Sequence, residues 1–295
     1  MTPHFSIGII GAGRVGGSLA RALAGADWPL AGVASRSRAA AEQLAAETGA
    51  PVMSAGELLA LADLAVLAVP DDALAGLAAD LAAGLPAAPR AAVHCSGALS
   101  LEPLAPLAER GWLVGGFHPL QSFPTAETPV QPGITWGIEA APPLREQLIG
   151  LAAALGGAPL LLRPGDKTLY HAAAVVACNY ALTLAQAAVD LLGLCEIPPA
   201  EALAALLPLL RGNLAALELI GLPGALTGPL ARGDAGTVAR HLTDLDRRAP
   251  AIAALYRTLG RATLPMAGAR GLDPARLQVL ATLLAQEAPD ASVDQ

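Results

Sequence analysis

The chain contains few charged, aromatic and cysteine residues. Of 295 residues, 15% are charged, 3% are aromatic and only three are cysteines: Cys95, Cys178 and Cys195. An odd, sparse cysteine set without a C-x-x-C pair favours reduced cytosolic thiols over a disulfide framework. The net charge of −7 argues against broad nucleic-acid binding, which needs a basic surface. No cluster of His, Cys, Asp and Glu has metal-ligand spacing, so we predict no metal.

The chain is instead rich in apolar residues that favour helices. Hydrophobic residues make up 54% of the chain, and much of the excess is Ala and Leu. The longest apolar stretch, 172–194, is interrupted by Asn179, Gln186 and Asp190, which favours a buried helix over a membrane span. The N-terminus lacks the basic segment of a signal peptide. We therefore expect a cytoplasmic protein without membrane attachment.

A glycine-rich turn near the N-terminus is the most informative motif. Apolar residues 7–10 lead into G-x-G-x-x-G, and residues 19–23 continue with helical character. This order of strand, tight turn and helix is typical of dinucleotide binding, because the helix N-terminus offers free N–H groups to a pyrophosphate. The predicted cofactor-binding residues of the turn are Gly11, Ala12, Gly13, Arg14, Val15 and Gly16.

The end of the second predicted strand indicates which dinucleotide is bound. An acidic residue about 20 positions after the glycine motif would bind the ribose hydroxyl of NAD. The chain instead has Ser35, Arg36, Ser37 and Arg38 there, and these groups suit the 2′-phosphate of NADP. The alternative is a solvated basic turn that opens the next helix. Val69 and Pro70, at the end of the apolar run 64–70, complete the predicted NADP site.

Strands and helices alternate over the first half of the chain and then give way to helices. Six or more predicted strands, with helices between them, indicate an α/β fold with a doubly wound, Rossmann-like sheet. From Lys167 onward we find no convincing strand, and helical stretches are predicted at 167–193, 199–220, 234–247, 249–262 and 273–287. We therefore predict a dinucleotide-binding domain over 1–163 and an all-α domain over 164–295 for substrate binding and dimerisation.

Several polar residues follow predicted strands, where ligands bind in such sheets. The Ser96 hydroxyl and nearby N–H groups suit a carboxylate or an oxyanion. His118 precedes Pro119 at a strand exit and is predicted to contact substrate or nicotinamide, or to stabilise the turn. His94 is predicted to be structural.

The first helix of the second half carries a candidate proton donor. His171, Val175 and Asn179 have i, i+4, i+8 spacing, which predicts one shared helix face, and Lys167 lies one turn earlier. Histidine suits proton donation because its ordinary pKa is about 6.5. The structural alternatives are a histidine bonded within a domain interface and an asparagine bridging two helices.

Four motifs together resemble one bacterial family, which pairs a Rossmann-like N-terminal domain with a helical C-terminal domain of formerly unknown function. They are H-C-S-G-A at 94–98, G-F-H-P-L-Q-S-F at 116–123, Y-H-A-A-A at 170–174 and A-L-T-G-P-L-A-R-G-D at 225–234. The layout is more distantly similar to ketopantoate reductase, pyrroline-carboxylate reductase and the β-hydroxyacid dehydrogenases. These relatives imply a nicotinamide cofactor, a cleft between the domains and a homodimer formed through the helical domain.

The resemblance to ketopantoate reductase also has a mismatch. That enzyme uses a helix-borne Lys with Asn residues at i+4 and i+8. Aligning on Asn179 puts His171 in the place of the Lys and Val175 in the place of the first Asn, whereas aligning on Lys167 puts His171 at i+4. The choice of proton donor between Lys167 and His171 therefore stays open.

Together these features predict an NADP-dependent oxidoreductase that reduces a small carbonyl or imine acid, with a 2-oxo acid such as ketopantoate as the first candidate. The predicted catalytic residues are His171, Asn179, Ser96 and His118. The alternative is a non-catalytic NADP(H)-binding sensor or interaction protein, because a fold does not determine a function.

Overall fold

The computed structural model describes residues 5–84 and 90–286. The chain forms two compact units, Met1–Cys178 and Asn179–Gln295. The first unit contains the sheet and the helix that follows it. The functional boundary expected at 163/164 stays a prediction.

The first unit is built on a seven-stranded sheet of order β2-β1-β3-β4-β5-β6-β7. Neighbouring strands run parallel except β5 and β6, which are antiparallel. The α/β, Rossmann-like expectation is confirmed. The strands are β1 (Ile7–Ile10), β2 (Leu30–Ala34), β3 (Leu64–Leu67), β4 (Ala91–His94), β5 (Leu113–Pro119), β6 (Thr135–Ala140) and β7 (Ala158–Leu161).

Helices connect these strands, and local capping explains where two of them begin. The Ser37 side chain accepts from the N–H of Ala40 at the start of α2. Ser54 and Glu57 form a reciprocal capping box at the start of α3. The helices of this unit are α1 (Arg14–Gly25), α2 (Arg38–Thr48), α3 (Ala55–Leu61), α4 (Asp71–Gly84), α5 (Ala105–Ala108), α6 (Leu144–Ala154) and α7 (Lys167–Ala177).

Two apolar clusters lie within the sheet unit. One includes Ile7, Val66 and Phe117, and the other includes Leu58, Leu67 and Trp112. Strands β1, β3 and β4 are buried along their whole length, as expected for parallel strands covered on both faces. Beside β2, Val33 and Val52 form an isolated parallel bridge.

The second unit is helical over its described residues. Its buried apolar cluster consists of Val238, Leu242, Leu280 and Leu284. Asp234 caps the helix that begins at Ala235, since its carboxylate accepts from the N–H of Thr237 at 3.0 Å. The helices are α8 (Asn179–Gly193), α9 (Pro199–Ile220), α10 (Gly228–Arg232), α11 (Ala235–Arg248), α12 (Pro250–Ala269) and α13 (Pro274–Ala285).

The single helical stretch expected over 167–193 is interrupted. Helix α7 ends at Ala177 and α8 begins at Asn179, with Cys178 as a turn between them. The shared helix face of His171, Val175 and Asn179 stays a prediction. Lys167–Gly193 and Pro199–Ile220 are each long and apolar enough to cross a membrane, and the apolar windows within them are not buried.

Candidate active site

The turn after β1 has the form of a phosphate cradle. Gly11 has φ +112°, and a Cβ there would collide with the Ala68 carbonyl oxygen. A Cβ on Gly16 would likewise collide with the Gly11 carbonyl oxygen, whereas the space beside Gly13 is open within 4 Å. Helix α1 begins at Arg14. Its N-terminal N–H groups, which have no partner within the helix, thus follow an unobstructed glycine.

A cavity of about 1110 Å³ lies beside this turn. It exceeds the roughly 300–1,000 Å³ of typical small-molecule sites, so it has room for an extended ligand. It brings together eight of the predicted cofactor-binding residues. Those eight are Gly11, Ala12, Gly13, Ser35, Arg36, Ser37, Val69 and Pro70, whereas Arg14, Val15 and Gly16 belong to α1 and do not line the cavity.

The two arginines at the end of β2 have different surroundings. The guanidinium of Arg38 pairs with Glu42 at 2.7 Å and faces a smaller neighbouring cavity. Arg36 lines the large cavity and has no ion pair among the described residues. Ser35 occupies the position where an NAD site would have a carboxylate. The donor set therefore fits a phosphorylated ribose, with Arg36 as its free cation.

His94 ends β4 and is fully buried. Its Nδ1 accepts from the N–H of Ser96 at 3.1 Å, so the proton of the neutral ring is on Nε2, which donates to the Ser100 carbonyl at 3.0 Å. Burial first, and the nearby Lys167 ammonium second, lower the pKa of His94 to about 4. Both ring nitrogens are thus used locally, in keeping with the predicted structural role.

The Ser96 hydroxyl is also engaged by its surroundings. It donates to the Asp71 carboxylate at 2.9 Å and accepts from the N–H groups of Ala98 and Leu99 at 3.2 and 3.0 Å. These bonds hold the chain in a tight turn after β4. A direct contact of this hydroxyl with substrate stays a prediction.

Lys167 is a buried cation beneath this turn. Only 2% of the residue is exposed, and its Nζ donates to the Ser96 carbonyl at 2.8 Å. Burial lowers the pKa of Lys167, while the carboxylates of Glu139 and Asp71 act in the opposite direction. A Cβ on Gly116 would lie 3.0 Å from this Nζ, so the glycine gives the ammonium its place.

Glu139 is the buried acid of the same neighbourhood. It is 4% exposed and lies opposite Gly116 across the β5–β6 pair. Burial raises its pKa, and Lys167 opposes this shift. Its Oε2 has no hydrogen-bond partner among the described residues.

His118 and Tyr170 form a side-chain pair at the end of β5. The His118 Nδ1 lies 2.7 Å from the Tyr170 hydroxyl, and the rings meet edge to face with 5.5 Å between centroids. Gly137 is the cross-strand partner of His118, and a Cβ there would lie 2.6 Å from the Tyr170 hydroxyl. The missing side chain of Gly137 thus leaves room for the phenol beside the imidazole.

The rings of His118 and His171 meet at Gly97. A Cβ on Gly97 would lie 2.8 Å from His118 Nε2 and 3.1 Å from His171 Nδ1. Burial, followed by the charges of Lys167, His171 and His94, lowers the pKa of His118 to about 4. Two of the four predicted catalytic residues, His118 and His171, therefore point ring nitrogens at one glycine of the β4 exit.

Asn179 begins α8 in the second unit, and its role stays a prediction. Sequence reasoning missed the contributions of Tyr170, Gly137 and Glu139. The available signal for Tyr170 was its place directly before His171. Among residues 5–84 and 90–286, no group of three or more His, Cys, Asp or Glu could hold a metal ion.

The fold and the glycine-rich turn are those of a dinucleotide-binding protein. Comparison of the sequence with known protein families gives two matches. Residues 1–119 match the Rossmann-like domain model, and residues 134–263 match a domain of unknown function, DUF2520. These two matches, over different parts of the chain, confirm the resemblance inferred from its motifs. No curated protein sequence gives a significant match.

Solved structures share the fold over nearly the whole chain. A candidate NADP oxidoreductase from Bacteroides fragilis is 26% identical, with a TM-score of 0.68 over 88% of this chain and 97% of that chain. A Thermotoga maritima protein is 22% identical, with a TM-score of 0.69 over 89% and 98%. A reductive aminase from Aspergillus terreus, solved with NADPH and ethyl-5-oxohexanoate, is 17% identical, with a TM-score of 0.60 over 96% and 93%.

Proposed function

We propose that this protein is an NADP(H)-dependent oxidoreductase that reduces the carbonyl or imine group of a small acid. The main support for this proposal is that the candidate cofactor-binding and catalytic groups lie at one edge of the sheet. The phosphate cradle after β1 and the free Arg36 after β2 lie at the same edge as His118 and His171 beside the β4 exit. The similarity to the Bacteroides NADP oxidoreductase and to the NADPH-bound reductive aminase supports this proposal.

NADP(H) would be held by the residues of the large cavity. Gly13 and the start of α1 would bind its pyrophosphate, and Arg36 would bind the 2′-phosphate. When bound, the nicotinamide supplies a hydride to an electron-poor carbon. The protein must then hold the acceptor, supply one proton and exclude water.

His171 is the proposed proton donor. The residue is exposed and its Nδ1 faces Gly97, whereas Lys167 is 2% exposed and its ammonium donates to the Ser96 carbonyl. A buried cation that already holds a carbonyl oxygen is a poorer donor to a substrate than an exposed imidazole at the strand exit. This geometry favours His171 over Lys167 and assigns Lys167 to positioning the β4 exit.

The cofactor proposal is tested by changing the sign of the charge at Arg36. Arg36→Asp should weaken NADPH binding at least tenfold, because the lost ion pair carries about 1.4 kcal/mol or more, and it should leave NADH binding nearly unchanged. Isothermal titration calorimetry with both dinucleotides measures this. Arg145→Asp, on α6, makes the same charge change away from the cavity and serves as the control. An unchanged NADPH/NADH ratio would show that Arg36 does not bind the phosphate.

The reductase proposal is tested by following NADPH absorbance with a panel of 2-oxo acids and cyclic imines, with ketopantoate first. NADPH should be consumed in the presence of at least one member of the panel. Tight NADPH binding without turnover across the panel would instead favour a sensor or interaction protein.

We also propose that the protein forms a homodimer through its helical domain. Leu203, Leu207, Leu210, Leu214 and Leu217 are spaced by four and three residues along α9, and each is 38–61% exposed. This spacing puts them in one stripe, the pattern by which a helix packs against a second helix. The stripe and the resemblance to dimeric reductases support a second copy of the chain as the partner. The cytoplasmic location expected from the sequence stays a prediction.

A further inference from the structure

The nitrogens of His118 and His171 are close enough to bind one atom together. His118 Nε2 and His171 Nδ1 lie 2.8 and 3.1 Å from the same point, the Cβ position of Gly97. Two atoms so placed are at most about 6 Å apart, a separation that one bridging atom spans with two hydrogen bonds of about 3 Å. Neither nitrogen has another hydrogen-bond partner among the described residues.

Tyr170 determines which nitrogen of His118 carries the proton. Burial raises the pKa of Tyr170 to about 12, so the phenol keeps its hydrogen. The Nδ1 of His118 is the hydrogen-bond partner of that hydroxyl in the described structure, at 2.7 Å. With the phenol as the donor to Nδ1, the single proton of the neutral imidazole is on Nε2, and His118 presents an N–H donor toward Gly97.

We propose that His118 Nε2 and His171 Nδ1 together bind one oxygen atom of the substrate, that Tyr170 fixes the tautomer of His118 for this task, and that the reduced group is consequently the carbonyl of an aldehyde or ketone. This proposal rests on the proposed reductase function. A carbonyl oxygen has two lone pairs and accepts from two donors, whereas an imine nitrogen has one lone pair and an iminium nitrogen has none. Two converging donors thus match an oxygen acceptor.

The chemistry balances with these groups. The carbonyl carbon accepts the hydride that NADPH supplies, and the π electrons of the C=O bond become a lone pair on the oxygen. The His118 N–H stabilises the developing negative charge without giving up its proton. Protonated His171 transfers one proton from Nδ1 to the oxygen and becomes neutral, giving an alcohol. His171 is exposed and regains its proton from solvent.

Tyr170 is a positioning residue, and the state of the His118 ring tests its role directly. Long-range ¹H–¹⁵N spectra of the ¹⁵N-histidine-labelled full chain with NADP⁺ should show His118 with Nδ1 unprotonated and Nε2 protonated. Tyr170→Phe should give a mixture of the two tautomers. The helical unit contains a matched control pair, His241 and Tyr256, with a 3.0 Å contact between Nδ1 and the hydroxyl and an 89° angle between the rings. Tyr256→Phe should leave the His118 signals unchanged.

Two spectroscopic results would overturn the assignment. A proton on Nδ1 of His118 in the unchanged protein would reverse the proposed donor. Identical His118 signals in the unchanged protein and in Tyr170→Phe would show that Tyr170 does not fix the tautomer of His118. The first result needs no substitution, so the test holds even where Tyr170→Phe fails to fold.

A matched pair of substrates tests the oxygen preference. 2-Oxopentanoate and 1-pyrroline-2-carboxylate have the same carbon number and a carboxylate beside the acceptor carbon, but differ in C=O against C=N. We expect kcat/KM with NADPH to be at least about tenfold higher for the oxo acid. A preference for the imine would overturn the oxygen assignment while leaving the reductase function intact. Reduction of neither, nor of any member of the wider panel, would contradict the reductase function and the oxygen assignment with it.

Discussion

Single glycines determine how the candidate site is assembled. At Gly97 the absent side chain lets two imidazoles approach the β4 exit, and at Gly137 it leaves room for the Tyr170 phenol beside His118. Gly116 does the same for the Lys167 ammonium. Neither Gly97 nor Gly116 has a positive φ, so these positions need glycine for space and not for backbone conformation.

His94 should make the stability of the protein depend on pH. Its pKa is about 4 in the folded protein against an ordinary value of 6.5, so below pH 6.5 the unfolded chain binds a proton that the folded chain does not. The neutral buried ring therefore makes its full contribution to the free energy of unfolding above pH 6.5. This contribution is lost as the pH falls toward 4. Between pH 7.5 and 5.5 we expect a loss of about 1 kcal/mol in the free energy of unfolding from this residue.

Urea unfolding at these two pH values measures that contribution. In His94→Gln the side chain still offers a hydrogen-bond donor and an acceptor but cannot ionise. The stability of this variant should therefore fall less than that of the unchanged protein between pH 7.5 and 5.5. His241→Gln, which replaces a histidine of the helical unit, serves as the control and should behave like the unchanged protein. Equal pH dependence in His94→Gln and the unchanged protein would refute the role assigned to burial of His94.

At the scale of helices and strands, local patterns could be predicted better than long-range ones. The apolar run 64–70 and the glycine turn at 11–16 contain their own signals, and both are found as predicted. The antiparallel pairing of β5 with β6 has no local signal, because it depends on residues far apart along the chain. The pairing of His118 with Tyr170 was missed for the same reason, since 52 positions separate them.

The break between α7 and α8 shows where helical periodicity misleads. Apolar residues continue across Cys178, so composition alone predicts one helix, whereas the structure has a one-residue turn at Cys178 between α7 and α8. The i+8 spacing of His171 and Asn179 indicates a shared face only within an unbroken helix. His171 nevertheless faces Gly97, because its place within α7 does not depend on the chain beyond Cys178.

The apolar stripe of α9 leads to a prediction about self-association. The unchanged protein should sediment as a dimer, and Leu210→Glu should shift it toward monomer, because a charge in an apolar interface is costly to bury. Leu219→Glu is the control: Leu219 is 84% exposed on the opposite face of α9 and should leave the dimer intact. Sedimentation velocity at micromolar concentration measures all three. A monomeric unchanged protein, or equal effects of both substitutions, would contradict the proposed interface.

At the scale of the whole molecule, fold and cofactor class follow from signals that lie early in the chain. The glycine turn and the basic end of β2 belong to a common architecture, so their positions could be predicted from the sequence alone. The substrate could not be predicted in this way. Its recognition depends on how the β4 exit, β5 and α7 bring His118, Tyr170 and His171 together, and no sequence spacing encodes that meeting.

The most direct test of the proposed reductase follows one hydrogen atom. NADPH deuterated at the transferable C4 position is mixed with the protein and the panel of 2-oxo acids, ketopantoate first, and products are examined by mass spectrometry. We expect a 2-hydroxy acid carrying one deuterium on the former carbonyl carbon, absent when NADPH is omitted. Firm NADPH binding with no deuterated product from any carbonyl or imine acid would contradict the proposed function and identify the chain as a binding protein.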